Sequence, residues 1–517
     1  MNKTRMKRCA ILRPSWNQCL IKKFQNLIRI LLLTLLSGCR VGPDFVRPPP
    51  PESTSYTKTK SASRLVPGNR EPSQHLILGK QVPAAWWQLF HSPSLNQVIQ
   101  LAIANSPTIE AARTRLAQAQ QSILMARGSF YPQIDASGSA QREKGPPMAF
   151  GLLSAVPATT IKGVPTYNLY SFGPTVNFVP DVFGLTSRRV EQQTALAENQ
   201  AYQLAAAQLS VTGNIVAQVL TIASIRLQIQ ATEKIIKDDE KSLELMKKRL
   251  VVGLVNRTDF LLAQNQLEKD RSNLPQLKQQ LDAAEHALSI LVGKSPAEWS
   301  PPAFSMDEFT LPKNLPLVFP SMLVSQRPDI MAAEAELHAS SAAIGIAKAQ
   351  LFPTITLSAS VDPTALTPAN LFNNSNLAWD IFSGVATPIF HGGTLQAQKR
   401  AAIDAFQTSL AMYKQTVLEG LRQVADMLRA LSHDAELVQA ERRSLDTLKT
   451  SVTLQRQRFE VGTVDLLDLL NVDRSYQQAR ISYAQSQAQR YLDSAQLLVA
   501  LGGGWNNELI ASFMHQK

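Results

Sequence analysis

The chain is 517 residues long and carries 52 Lys and Arg against 40 Asp and Glu, a formal charge of +12. Eight of the basic residues and none of the acidic ones fall in residues 1–38, so residues 39–517 carry only +4, which removes the electrostatic argument for a nucleic-acid partner. Cys9 and Cys19 lie in the same leading stretch, and the one remaining cysteine, Cys39, excludes a disulfide within the rest of the chain.

The first predicted element is an address. A basic stretch leads into the apolar run ILLLTLL at 30–36 and then SGC, the layout of a secretory signal over 1–38. The run is too short to span a bilayer as a helix, and no other long apolar span is predicted. LSGC ending in Cys39 resembles the bacterial lipobox, whose cysteine is acylated and becomes the new N terminus. Arg40, standing where an Asp would signal retention at the inner membrane, favours the outer membrane. Residues 39–93 read as an acylated linker.

Residues 94–293 read as a first repeat. A helix over Ser94–Gly128 ends in SFYP at 129–132. Two strands are predicted next, at about 132–142 and 166–181, the second with Tyr170, Phe172, Val176 and Phe178 on one face. Period two with one apolar face implies an apolar medium on that side, either a core or lipid. From Gly184 to Gly253 there is no proline, and strong helix formers dominate. A helix filling that stretch is about 100 Å long at ~1.5 Å per residue. Ile215, Ile222, Ile229, Ile236, Leu243 and Leu250 recur at seven-residue spacing, a left-handed coiled-coil seam. Gln218 and Asp239 interrupt the second seam position, so the stripe is narrow. Asp238-Asp239-Glu240 reads as a solvated helix face. Gly253 turns the chain into a return helix over 257–292, which Pro275 should kink. LVGKSP at 291–296 mimics the end of a phosphate loop, but Leu288 stands where the first Gly should be. It reads as a helix C-cap and a proline stop. Residues 294–320 are predicted to lie outside the repeats.

Residues 321–502 repeat the first unit at a constant offset of 209. Gly184 pairs with Gly393, Gly253 with Gly462 and Gly293 with Gly502. A register held over about 110 residues is a duplicated structural unit, and the lack of any indel suggests rigid rods. The heptad track returns as Val424, Leu431, Val438, Leu445, Val452 and Phe459. A helix over Ser321–Leu351 precedes strands at about 353–362 and 376–389. The turn lies near Gly462, and a return helix over 465–501 leads to a tail at 503–517. Four strands of about ten residues suit a transmembrane β-segment. They cannot close a barrel alone, and open edges are not tolerated in hydrocarbon, so several copies must share one. The predicted fold is an α+β membrane protein, a long helical coiled-coil tube joined to a transmembrane β-barrel shared between protomers. No catalytic constellation is found. The seven histidines are scattered, none has a metal-ligand partner at helical spacing, and no cofactor is expected beyond the lipid on Cys39.

Together these parts resemble the outer membrane factor (TolC-like) family, in particular the lipoprotein branch paired with resistance-nodulation-division (RND) pumps. VGPDFVRPPPPES (41–53), WWQLFHSPSLNQVIQLAIANSP (86–107), RPDI with IGIAKAQLFP (327–353) and PIFHGGTLQAQ (388–398) carry the likeness. The resemblance implies a homotrimer with a twelve-stranded barrel in outer membrane lipid and a periplasmic tube. Residues 295–320 and the tail would form an equatorial belt around it. It further implies that Gly253, Leu254 and Val255, with Gly462, Thr463 and Val464, are tips that meet a periplasmic adaptor, and that Asp468 lines the closed aperture. There are two departures from the pattern: Asn471 replaces a second aperture aspartate, and Phe459 replaces a tyrosine that ties the tips together. Phe459 cannot donate to Asp259, which implies a less tightly locked gate. The function implied is a passive exit duct of a tripartite efflux system with an inner-membrane pump. The alternative is the periplasmic adaptor lipoprotein of such a system, which has one hairpin where this chain has two. A lipoprotein enzyme is a third reading without candidate residues.

Overall fold

The computed structural model describes residues 40–58, 64–65, 73–144, 166–253 and 255–504. The signal segment, Cys39, Leu254 and the tail from 505 onward lie outside them. Strands are β1 (Arg64–Leu65), β2 (Gln74–Leu78), β3 (Gln133–Lys144), β4 (Thr166–Phe178), β5 (Asn314–Leu317), β6 (Thr354–Val361), β7 (Thr364–Ala365) and β8 (Trp379–Ala386). The helices are α1 (Pro93–Asn105), α2 (Pro107–Gly128), α3 (Leu185–Val251), α4 (Arg257–Val292), α5 (Pro328–Ala349), α6 (Thr394–Glu460) and α7 (Leu466–Ala500). α3 and α6 are each 67 residues long and begin 209 residues apart, the offset of the sequence repeat.

Prolines set two breaks within the stretches predicted as single helices. Ser94–Gly128 divides at Ser106, which is extended (ψ 120°) ahead of Pro107. Ser321–Leu351 divides into one turn at Pro320–Leu323 and then α5, which starts at Pro328. Proline lacks an N–H and pushes the preceding residue out of the helical region. In contrast, α4 stays helical through Pro275.

Two compact units are present. Among the described residues, the first holds those within 40–45, 121–194 and 338–406. Its sheet runs β3-β4-β6-β8, antiparallel throughout, with β7 also paired to β4. The register puts Ile134 opposite Val176, Val176 opposite Ala359, and Ala359 opposite Ile381. Residues directly opposite share a face, so all four strands contribute to one apolar face. That face is not a protein core: Ile134 is 72% and Ile381 77% exposed, and Trp379 and Val385 are exposed beside them. β3 and β8 are edges with no further partner among the described residues.

Among the described residues, the second unit holds those within 46–120, 195–337 and 407–504. Its core joins Trp86, Phe90, Leu95 and Ile99 to the seam residues Ile215 and Ile222 and to Val424 and Leu431. One 18-residue window of α3 reaches a mean hydropathy of 1.3, but half of it is buried within the protein. Its apolar character therefore belongs to this seam. A small sheet, β1-β2-β5, has β2 parallel to β5 and fastens residues 312–318 beside α7, where Tyr491 donates to the Phe309 carbonyl at 3.2 Å.

Glycines end four of these helices in the left-handed region, in different surroundings. At Gly293 (φ 80°) an added Cβ would lie 2.3 Å from the Asn105 carbonyl oxygen, whereas at Gly253 (φ 74°) it would meet nothing within 4 Å. We therefore expect Gly253→Ala to lower stability by about 1 kcal/mol, the left-handed penalty alone. Gly293→Ala should add a backbone collision and lower it by ~3 kcal/mol or more. Equal shifts in melting temperature for the two variants would contradict this.

Candidate functional site

Both hairpin turns are built alike. The Gly253 N–H donates to the Leu250 carbonyl at 3.1 Å, and the Gly462 N–H to Phe459 at 3.2 Å. Thr463 N–H reaches back to the Arg458 carbonyl at 2.9 Å, closing the helix end with a left-handed glycine. On the far side Asn256 caps α4, its side-chain oxygen accepting from the Asp259 N–H at 2.8 Å. The turns are flanked by apolar side chains in the open: Val251 is 82% and Val461 74% exposed, with Val252 beside them. Exposed valines around two glycines leave a sterically open surface with an apolar patch, bordered by the charged Arg257, Glu460 and Asp465.

The two turns sit side by side around a cavity of about 350 Å³. Gly253, Val255 and Asp259 line it from the first hairpin, and Phe459, Gly462 and Val464 from the second. The structure thus brings Asp259 and Phe459 to one cavity, although they cannot hydrogen-bond. The contact that joins the tips is one that sequence reading missed. The Arg249 guanidinium lies over the Phe459 ring, 4.7 Å from its centroid. Below the ring, Met246 and Ala263 are buried, with Leu243, Phe260 and Leu470 packed on them. Phe459 therefore holds the last heptad position and also serves as the face for a cation. An Arg four residues ahead of the first tip and an aromatic three residues ahead of the second were the available signal.

Asp468 lies in the first turn of α7 and is exposed, as is Asn471 one turn later on the same helix. Neither lines the cavity between the tips.

Further along the hairpins, Arg474 donates to Gln266 at 3.0 Å and Gln485 to Gln228 at 3.0 Å, tying the second hairpin to the first. Asp239 is not on a solvated face. It is partly buried and lines a small cavity together with Ser242, Met246 and Asp473. Burial first, and then the facing Asp270 carboxyl, push its pKa up to about 8. No cluster of His, Cys, Asp or Glu able to hold a metal is present among the described residues.

In the first unit, a second arrangement escaped the sequence reading. Arg188 is 1% exposed. It donates to the carbonyls of Val41 (3.2 Å) and Gly42 (3.1 Å), to Asp44 (2.9 Å) and to Glu191 (2.7 Å). Glu191 also accepts from Arg40 at 3.0 Å and contacts His338 at 3.2 Å, and the His338 ring stacks on Phe45, 4.5 Å between centroids. Gly42 (φ 112°) passes so close to Gly345 that a Cβ there would lie 2.5 Å from the Gly345 Cα. The strap directly after Cys39 is thus fastened to α3 and α5.

The comparisons agree with this architecture. The sequence profile of the Outer membrane efflux protein family matches residues 98–294 and 319–503, one segment for each repeat. The chain is 27% identical over 487 residues to the cation efflux system protein CusC of Escherichia coli O6:H1, covering 93% of this chain and 99% of that protein. It is 26% identical over 486 residues to the probable outer membrane lipoprotein SilC of Salmonella typhimurium, with 93% and 99% covered. Among solved structures, that of the outer-membrane channel OprN superposes with a TM-score of 0.79 at 25% identity, over 90% of this chain and all of the other. With both repeats matched, the chain belongs to the outer membrane efflux protein family.

Proposed function

We propose that three copies of this chain form the outer-membrane exit duct of a tripartite efflux system, each giving four strands to one twelve-stranded barrel. The observation that carries this is the sheet β3-β4-β6-β8, with its exposed apolar face and two unpaired edges. In hydrocarbon such edges must be closed, and copies of the same sheet close them in an even-numbered antiparallel barrel. Solutes pass without chemistry, as befits a family of passive channels, and selection belongs to an inner-membrane RND-type pump. Acylation at Cys39 fits the strap that starts one residue later and the lipoprotein name of the relative SilC.

The tips, Gly253 to Val255 and Gly462 to Val464, are read as the docking points of a periplasmic adaptor, because Gly253 and Gly462 are sterically open and the neighbouring Val251, Val252 and Val461 are exposed. Arg249 over Phe459 is read as the closed-state latch in place of a hydrogen bond. An exposed cation–π contact contributes about 0.5–1 kcal/mol, a bias of only ~2–5-fold toward closure. A weak latch suits a gate opened by a docked partner.

In the trimer, three Asp468 carboxylates meet at one constriction, where like charges attract cations. In planar bilayers, Asp468→Ala is expected to raise open probability and to weaken block by multivalent cations. If neither changes, Asp468 is simply a first-turn acid favoured by the helix dipole.

A further inference from the structure

Among the described residues, only three buried polar side-chain atoms lack a hydrogen-bond partner, and two of them are carboxylate oxygens: Asp239 Oδ2 and Asp434 Oδ2. Each belongs to the long helix of one hairpin and faces a carboxylate of that hairpin's own return helix. Asp239 of α3 faces Asp270 of α4, and Asp434 of α6 faces Asp493 of α7. Asp434 is 9% and Asp493 6% exposed. Two carboxylates offer each other only acceptors, and an unsatisfied buried acceptor is costly. One proton held between them converts each orphan into a hydrogen bond and removes the like-charge repulsion.

We propose that each hairpin is fastened by one shared proton, Asp239 with Asp270 in the first and Asp434 with Asp493 in the second, and that losing these protons loosens the hairpins and favours an open gate. The gating half of this inference rests on the duct reading above; the proton-sharing half does not.

The surroundings explain why nothing else satisfies these oxygens. Around Asp239, the cations are committed elsewhere. Arg456 of α6 pairs with Asp473 at 2.9 Å, Arg271 of α4 with Glu240 at 2.7 Å and Glu268 at 2.9 Å, and Lys241 with Asp238 at 3.9 Å. Arg474 of α7 donates to Gln266, and Gln266 donates to Asp270 at 2.7 Å. The carboxylates facing Asp239 are thus Asp270, Asp473 and Asp238; Asp473 and Asp238 have cations of their own, which leaves Asp270 as the acid set directly against Asp239. Around Asp434, the facing groups are Asp493, which accepts from Gln489 at 2.8 Å, and Arg490, whose Nε donates to Gln74 of β2 at 3.0 Å. Gln74 in turn donates to Ser494 at 2.9 Å. Burial, and then the Asp493 carboxyl, push Asp434 up to about 7, against the pull of Arg490.

The sign follows from linkage. The fastened hairpin binds a proton that the loosened one releases, so fastening is complete at acid pH and is lost as pH rises toward 7 for the second hairpin and 8 for the first. Between a free carboxyl's pKa near 4 and those values, each shared proton changes the fastened-to-loosened ratio by up to about tenfold per pH unit.

Two measurements on the purified full chain test the two halves. Infrared spectra in detergent should show a protonated-carboxyl C=O band at pH 6 that is gone at pH 9.5. Asp239→Asn and Asp434→Asn should each remove about half of it and the double variant nearly all, because Asn donates the bond without a proton. No such band at pH 6, or one that survives in the double variant, overturns proton sharing. In planar bilayers, open probability should rise at least tenfold from pH 6 to 9 in the natural chain and stay low and flat in the double variant. An unchanged pH profile in the double variant overturns the coupling to the gate. An absence of channels at every pH overturns the duct reading instead, and leaves the infrared result to decide the shared protons.

Discussion

Gly462→Asp and Gly253→Asp are each expected to abolish efflux while leaving a folded, membrane-inserted trimer. Either glycine has φ near +75°, where any Cβ carries a penalty of about 1–2 kcal/mol, though Asp is among the residues that visit this region most readily. No atom lies within 4 Å of the new Cβ at either position, so no packing term is added. What changes is the surface: a carboxylate enters a turn flanked by the exposed Val251, Val252 and Val461, at a cavity that Asp259 and Asp465 already line. A partner that buries those valines must then bury an unpaired carboxylate, which costs several kcal/mol and lowers affinity by a factor of ~1,000 or more. Drug or metal susceptibility in cells, beside trimer content on native gels, separates the outcomes. Loss of the trimer would make these glycines structural elements rather than docking points.

The second large effect is expected at Arg188. Arg188→Met keeps the volume of the side chain but removes every donor to the strap. Glu191 retains Arg40 and His338, and Asp44 is 88% exposed, so neither acid is stranded. The loss falls on the Val41 and Gly42 carbonyls and on the charge-assisted bonds, about 3 kcal/mol in total. The expected result is a lower melting temperature together with rapid tryptic cleavage after Arg40, whereas the natural chain resists cleavage there. A strap equally protected in both proteins would show that Arg188 does not fasten it.

Much of this architecture is legible in the sequence because it is periodic. A seven-residue track, a two-residue alternation and a repeat at 209 each report contacts between neighbours along an element, and the structure returns them as α3 and α6, the exposed-face sheet and the paired turns. The prolines were equally visible, yet Pro107 and Pro328 break helices that their flanks predict as continuous, whereas Pro275 does not, because where the helix stops depends on what caps it. Contacts distant in sequence left no such trace. Arg188 finds Val41 147 residues away, and nothing in RRVEQQ marks it as buried. Asp239 was misread for the same reason: three consecutive acids look solvated until the return helix sets Asp270 against the middle one. At the tips, the Phe459 departure was visible, but its partner Arg249 sits in the other hairpin.

The central claim is that the four-stranded sheet is one third of a barrel. A structure of the purified protein in lipid nanodiscs tests it most directly. The account predicts three copies, with β3 of each hydrogen-bonded to β8 of the next in a closed twelve-stranded barrel, and Ile134, Trp379 and Ile381 facing lipid. A monomer, or an oligomer whose sheets stay open and pack these residues against protein, would contradict it.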